Sequence, residues 1–256
     1  MLGAIAGDVI GKPYEFVCWK SVEFPLFGLG SGFTDDSVLT VAVADALLSE
    51  RPYVEVVLEY FRLYPDASYG MNFLFWAQSE SQKPYQSYGN GSAMRVSPVA
   101  WRHDTLDEVL AEAERSAAIT HDHPEGIRGA QATAAAVFWA RHVRDKAEIR
   151  RLLAERFGYD LGFTLDQIRP TYRFNETCQQ TVPQALVAFL ESTGYEDAIR
   201  NAISLGGDAD TLACITGGIA EAYYGVPEDL SGQCLERLDN RLAAMVRRFR
   251  DRFRLG

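Results

Sequence analysis

Two distant stretches hold the densest oxygen chemistry of the chain. The first is Thr34-Asp35-Asp36, and the second is Gly206-Gly207-Asp208-Ala209-Asp210-Thr211. Each sets a hydroxyl and two carboxylates at the entry to an apolar run. Taken alone, each is accounted for by helix capping, because short polar side chains accept the first free N–H groups and acidic residues gain from the helix field. Together they offer four carboxylates and two hydroxyls. An oxygen-only set of this kind suits hard divalent cations such as Mg²⁺ or Mn²⁺ and not a thiolate-seeking metal. If the two clusters converge, like-charge repulsion demands cations, and two ions would neutralise the carboxylates while orienting a sugar hydroxyl or a water. Spacing alone does not establish convergence.

Two further stretches could touch a ligand. Gly89-Asn90-Gly91-Ser92 leads into a helical pattern, and glycines ahead of a helix start expose N–H donors to an anion. A plain Asn-Gly turn is the alternative. Thr120-His121-Asp122-His123-Pro124 carries two histidines, which invites a zinc reading, but no third nitrogen or sulfur ligand lies near them.

The elements that must position these groups read as helices. Val38-Leu39, Val41-Ala42 and Ala46-Leu47-Leu48 follow helical spacing after the first cluster and predict a helix over 34–49. Similar patterns recur at 53–63, 70–79, 91–102, 105–119, 124–143, 146–157, 181–191, 195–204, 210–224 and 233–254. Strand-like alternation is nearly absent. Gly28-Leu29-Gly30-Ser31-Gly32 and the Gly89 region read as tight loops, not linkers. No repeat of fixed period and no domain boundary is visible, so residues 1–256 are expected to form one compact all-α domain. The last pattern sets Leu238, Leu242, Met245, Phe249 and Phe253 on one face and Arg241, Arg247, Arg248, Arg250, Arg252 and Arg254 elsewhere, as in an ordinary docked, solvated helix.

A chain of 256 residues with 47% hydrophobic content has enough material for a large core. Its 35 acidic and 25 basic side chains give a net charge of −10, which disfavours nucleic acid and anionic membrane surfaces as partners. A small anion is not excluded, since backbone N–H groups hold a diphosphate without a basic protein around it. Cys18, Cys178, Cys214 and Cys234 are widely spaced and suggest a reducing, cytoplasmic setting. The opening MLGAIAGDVI lacks a basic flank and a cleavage pattern, Asp8 interrupts it, and no run reaches membrane-span length.

Five stretches in series carry a family resemblance: Gly3-Ala4-Ile5-Ala6-Gly7-Asp8 with Glu15-Phe16, Phe33-Thr34-Asp35-Asp36-Ser37, Gly89-Asn90-Gly91-Ser92-Ala93-Met94-Arg95, Ile119-Thr120-His121, and the stretch from Gly206 to Thr211. In order and spacing, from about residue 3 to about residue 225, the chain resembles the ADP-ribosylglycohydrolase family. That family includes the dinitrogenase reductase-activating glycohydrolases and the J1 crystallins. The resemblance implies an orthogonal all-α fold around a central dimetal cleft. Two Mg²⁺ or Mn²⁺ ions would be held by Thr34, Asp35, Asp36, Asp208, Asp210 and Thr211, with Asp36 also close to the reaction.

By the same resemblance, Glu15 is expected to handle protons or gate the cleft. Gly89, Asn90, Gly91, Ser92, Met94, His121 and Gly207 are expected to contact the ligand. Asp66, in Tyr64-Pro65-Asp66-Ala67-Ser68-Tyr69-Gly70, matches a loop whose Asp is thought to assist ring opening; a turn-forming Asp after Pro is the plain reading. The implied activity is removal of ADP-ribose from a modified protein, foremost at arginine, by cleavage at the distal ribose. The competing readings are a hydrolase of serine-linked or small-molecule ADP-ribose conjugates, a non-catalytic ADP-ribose-binding module, and a crystallin-type structural protein. The retained oxygen ligands count against the last two.

Overall fold

A computed structural model of the chain describes residues 1–253. It is built from helices: α1 (Leu2–Gly11), α2 (Asp35–Ser49), α3 (Tyr53–Leu63), α4 (Met71–Gln78), α5 (Gly91–Met94), α6 (Val99–Arg102), α7 (Leu106–Ala118) and α8 (Pro124–His142). Then follow α9 (Lys146–Phe157), α10 (Leu165–Ile168), α11 (Cys178–Glu191), α12 (Tyr195–Ile203), α13 (Ala209–Tyr224), α14 (Glu228–Glu236) and α15 (Asn240–Phe253). Among the described residues, strand pairing is confined to one isolated antiparallel bridge, Gly89 to Thr177. The all-α expectation holds, and among the described residues no helix is long and apolar enough to cross a membrane.

Helix starts follow local chemistry. Thr34, Thr105, Asp145 and Thr164 each accept from a backbone N–H in the first turn of the helix they cap. Two predicted helices are broken in the structure. The 91–102 pattern splits into α5 and α6 because Pro98 supplies no N–H and disfavours helical backbone at the residue before it. The 233–254 pattern splits into α14 and α15 at Asp239, whose Oδ1 accepts from the N–H groups of Arg241 at 2.8 Å and Leu242 at 2.9 Å and so starts a new helix. Position 254 lies outside the described residues. The 181–191 helix begins earlier, at Cys178, and carries Pro183 inside it.

Helix α1 had no assignment from periodicity, and its burial explains why. Every one of its residues is buried, so it shows no polar stripe to reveal a helical period. It packs along α13 through glycines spaced four apart. A side-chain carbon on Gly7 would lie 2.1 Å from the Ala213 carbonyl oxygen, and one on Gly11 would lie 2.5 Å from Asp210 Cα. Close approach of the two backbones sets Asp8 of α1 and Asp210 of α13 side by side, both buried.

Candidate active site

The two acidic clusters converge. Thr211 Oγ1, on the first turn of α13, donates to Asp36 Oδ2 on the first turn of α2 at 3.2 Å. Oxygens of Asp8, Asp36 and Asp210 lie within 4.8 Å of one another, and so do those of Glu15, Asp208 and Asp210. Asp36, Asp208 and Asp210 are buried, while Asp35 is partly exposed to the cleft. The ion pairs among the described residues, such as Arg115–Glu112 and Arg151–Glu148, all lie elsewhere. Asp36 Oδ1 is buried with no hydrogen-bond partner.

Unpaired burial sets the protonation of the group. Desolvation, and then the neighbouring carboxylates, raise the Asp35 and Asp36 carboxyls well above the usual range, with Asp8 the largest charge contribution in each. Asp210 is raised well above that range by burial, then by Asp208 and Asp36, and Asp208 is raised by burial. Glu15 follows the short 3₁₀ turn Lys12–Tyr14 and lines the cleft, with its carboxyl pushed up to about 7 by burial, Asp208, Asp8 and Glu176. A buried cluster of acids with an orphaned oxygen, and with no ion pair to a basic side chain among the described residues, has the donor chemistry that a divalent cation requires. The donor set therefore fits a hard metal ion.

The capping explanation succeeds at one cluster and fails at the other. Thr34 is the N-cap of α2 and accepts from Asp36 N–H at 3.2 Å. Asp208 occupies the N-cap position of α13 but makes no capping bond; its Oδ2 instead accepts from Asn90 Nδ2 at 2.7 Å. Asp210 Oδ1 accepts from Thr211 N–H at 2.9 Å, which fixes its rotamer toward the cluster.

Sequence reasoning gave Asp8 no role, and the structure gives it one. Fully buried, its carboxylate accepts from Thr34 Oγ1 at 2.7 Å, Thr34 N–H at 3.0 Å, Ser37 N–H at 3.1 Å and the Ser37 hydroxyl. These bonds occupy most of its acceptor capacity, so Asp8 clamps the start of α2 beside α13 more than it offers itself to a cation. Its signal in the sequence was a lone carboxylate within an otherwise apolar run.

A cavity of about 550 Å³ opens above the carboxylates. Of the residues expected at the site, Glu15, Asp35, Asp36, Gly89, Asn90, Gly91, Met94, His121, Asp208, Asp210 and Thr211 line it. Thr34 does not; its hydroxyl is spent on Asp8 behind the cluster. Ser92 does not either, since its hydroxyl donates to the Gly126 carbonyl at 2.7 Å within the core. Gly207 is packed under the Tyr172 ring, where a side-chain carbon would meet Cε1 at 2.3 Å. Asp66 is exposed and outside the cavity lining, as the turn reading implies.

Asn90 is a junction and not a free ligand arm. Its amide also donates to Thr181 Oγ1 at 3.2 Å, and its N–H donates to the Glu176 carbonyl at 2.7 Å. The Gly89 loop is tied from the other side by Cys178 N–H to the Tyr88 carbonyl at 2.9 Å. Unforeseen at the mouth are Glu176, Tyr88 and Phe174; the Phe174 ring stacks on Phe16 at 5.5 Å between centroids. Nothing in local spacing marks residues 174–176, because the bridge to Gly89 brings them to the cleft.

Comparison with known proteins fits this arrangement. Residues 1–255 match the model of the ADP-ribosylglycohydrolase family. The chain belongs to the ADP-ribosylglycohydrolase family. It is 26% identical to ADP-ribosylhydrolase ARH3 of Mus musculus, over 91% of this chain and 86% of that protein. It is equally 26% identical to ADP-ribosylarginine hydrolase Tri1 of Pseudomonas putida (strain GB-1), over 88% of this chain and 70% of that one. A solved ADP-ribosylglycohydrolase-related protein complex shares the fold with a TM-score of 0.69 at 24% identity, covering 99% of this chain and 96% of that chain. As a member of this family the chain is a glycohydrolase enzyme, and its buried acidic clusters sit at the floor of the cleft where such chemistry belongs.

Proposed function

We propose that the cleft removes ADP-ribose from modified protein arginine with the help of two Mg²⁺ or Mn²⁺ ions. The convergence of Asp36, Asp208, Asp210 and Thr211 into one buried, uncompensated acidic floor carries this reading. Asp35, Asp36, Asp208, Asp210 and Thr211 would hold the ions, with Thr34 and Asp8 positioning them. Asp210 is shared between two carboxylate groupings, with Asp36 in one and Asp208 in the other while Asp8 holds α2 in place behind the first, and this supports a pair of ions over a single one. When bound, such ions neutralise the floor and polarise oxygens of the distal ribose or of water.

The chain's own groups supply the rest. Glu15, with its carboxyl near neutrality, exchanges a proton in the working pH range. In the reaction the bond from the anomeric carbon to the guanidine nitrogen breaks, and a water oxygen bonds to that carbon. One proton of the water passes through Glu15 to the departing guanidine. Glycines 89 and 91, with His121, face the cavity as the anion-binding wall.

The mouth favours an arginine acceptor. Glu15 and Glu176 place negative charge there, and the exposed, stacked rings of Phe16 and Phe174 offer a flat apolar surface beside it. A guanidinium group is planar, cationic and weakly hydrated, which matches both features. The similarity to an ADP-ribosylarginine hydrolase points the same way.

The test is release of free ADP-ribose from arginine-linked and serine-linked substrates, with Mg²⁺, Mn²⁺ or EDTA, beside an Asp208→Ala/Asp210→Ala double variant. Metal-dependent release from the arginine-linked substrate, lost by about 10³-fold or more in the variant, is expected. Release in EDTA, or from the serine-linked substrate alone, overturns the metal or the acceptor assignment respectively.

A further inference from the structure

The wall of the cleft contains a hydrogen-bond chain that the proposed reaction does not explain. Arg95 is fully buried, and its Nη2 donates to the Ser116 carbonyl at 3.0 Å and to Thr120 Oγ1 at 2.9 Å. Thr120 Oγ1 in turn lies 2.7 Å from His121 Nδ1. On the far side of the ring, Nε2 lies against two glycines. A side-chain carbon on Gly91 would lie 3.2 Å from it, and one on Gly89 would lie 3.5 Å away.

We propose that Thr120 and Arg95 are positioning residues that lock His121 as a neutral imidazole with its proton on Nε2, so that the ring offers an uncharged donor to an anionic, diphosphate-type group. The proposal rests on reading the cleft as an ADP-ribose site. The logic is one of donor and acceptor count. An arginine side chain only donates, so Thr120 Oγ1 accepts on that side. A threonine hydroxyl has a single hydrogen, and Thr120 is fully buried. The hydrogen finds a partner only if Nδ1 accepts it. Nδ1 that accepts carries no proton, and the neutral ring must then bear its hydrogen on Nε2.

Were the ring cationic or in the other tautomer, Nδ1–H would compete with the hydroxyl for the same contact. The Thr120 hydrogen would be left buried and unpaired. Charge adds to this. The Tyr85 ring centroid lies 6.2 Å from that of His121, and the Arg95 guanidinium is the charged group that acts on the imidazole. Burial first, and the Arg95 guanidinium second, hold the His121 ring well below its ordinary titration range.

The result is a division of labour in the wall. Arg95 keeps a positive charge in place, and its Nε and Nη1 are buried without a protein partner. His121 gives direction without a second charge beside the first. Gly89 and Gly91 keep the Nε2 edge of the ring open, where a side chain would crowd it.

The test is the nitrogen-15 spectrum of the full-length free protein labelled at histidine, recorded across about pH 5 to 8. Loss of signals in His121→Gln assigns the ring. Nδ1 is expected at its unprotonated position and Nε2 at its protonated position throughout. In Thr120→Val the ring is expected to mix tautomers or to titrate within this window, and ADP-ribose affinity by calorimetry to fall by about tenfold. Thr120→Ser should restore both. A protonated Nδ1 in the unaltered protein overturns the proposal, as does a Thr120→Val protein with unchanged tautomer and affinity. If no form binds ADP-ribose, the functional reading fails, while the free-protein spectrum still decides the tautomer.

Discussion

The acidic floor of the cleft and the glycine-rich wall beside it are held in place by different means. In the floor, Asp36, Asp208 and Asp210 are fixed by Thr211, Asn90 and the close α1–α13 contact, yet no cationic side chain matches their charge. In the wall, one buried cation, Arg95, sits behind a neutral chain of Thr120 and His121. On the proposed reading, the floor calls for positive charge and the wall for negative charge. A ligand that gathers metal ions at one end and carries phosphate at the other satisfies both, which is the electrostatic content of the ADP-ribose reading.

The contrast is broken most forcefully by removing metal. Carboxyls of the floor have folded-state pKa values raised above their unfolded values, so the folded chain binds more protons than the unfolded one. Their stabilising effect is present below the unfolded value and is lost as pH rises through the folded value. For Glu15 that window closes at about 7. In EDTA we expect activity to vanish and the melting temperature to fall by roughly 5 °C or more between about pH 5 and pH 8. Mg²⁺ or Mn²⁺ should flatten the curve, and Asp210→Asn should flatten it without metal. A melting temperature independent of pH in EDTA would mean that the floor is not electrostatically frustrated.

Asn90 sharpens the boundary between the two regions, because it belongs to the wall by sequence and to the floor by its bonds. Asn90→Asp replaces the amide that donates to Asp208 Oδ2 with an acceptor facing an acceptor. Such outer contacts orient the ligands of a metal, and their loss weakens affinity by roughly 10- to 100-fold. Calorimetric titration with Mn²⁺ measures this. Equal affinity in the variant would return Asn90 to the wall alone.

How much of this was legible depended on whether the deciding contact was local. The 34–49 helix, its Thr34 cap and the all-α architecture follow from spacing within a dozen residues. The resemblance supplied the pairing of the two clusters, and the structure realises it through Thr211 and Asp36. Asp8 stayed hidden because its partners come from another helix. Helix α1 stayed hidden because total burial erases amphipathic period. Ser92 and Gly207 were expected to touch a ligand, but their surroundings, the Gly126 carbonyl and the Tyr172 ring, come from distant positions in the chain. Glu176 and Phe174 reach the mouth only through the bridge at Gly89 and Thr177.

The smallest expected effect is also the most local, and it tests whether floor and wall are separable. In Gly91→Ala the new carbon would lie 3.2 Å from His121 Nε2 and 3.3 Å from Cε1. The imidazole must then give by a few tenths of an ångström. Gly91 opens α5, where alanine suits the helix better than glycine, so stability should change by less than about 1 kcal/mol. The displaced donor should cost about 3- to 10-fold in ADP-ribose affinity, consistent with a hydrogen bond weakened and not removed. Mn²⁺ affinity should not change, since no floor carboxylate meets the new carbon. Parallel titrations with ADP-ribose and Mn²⁺ read the two regions separately. If both affinities fall together, the wall transmits strain to the floor through Asn90, and the two regions act as one unit.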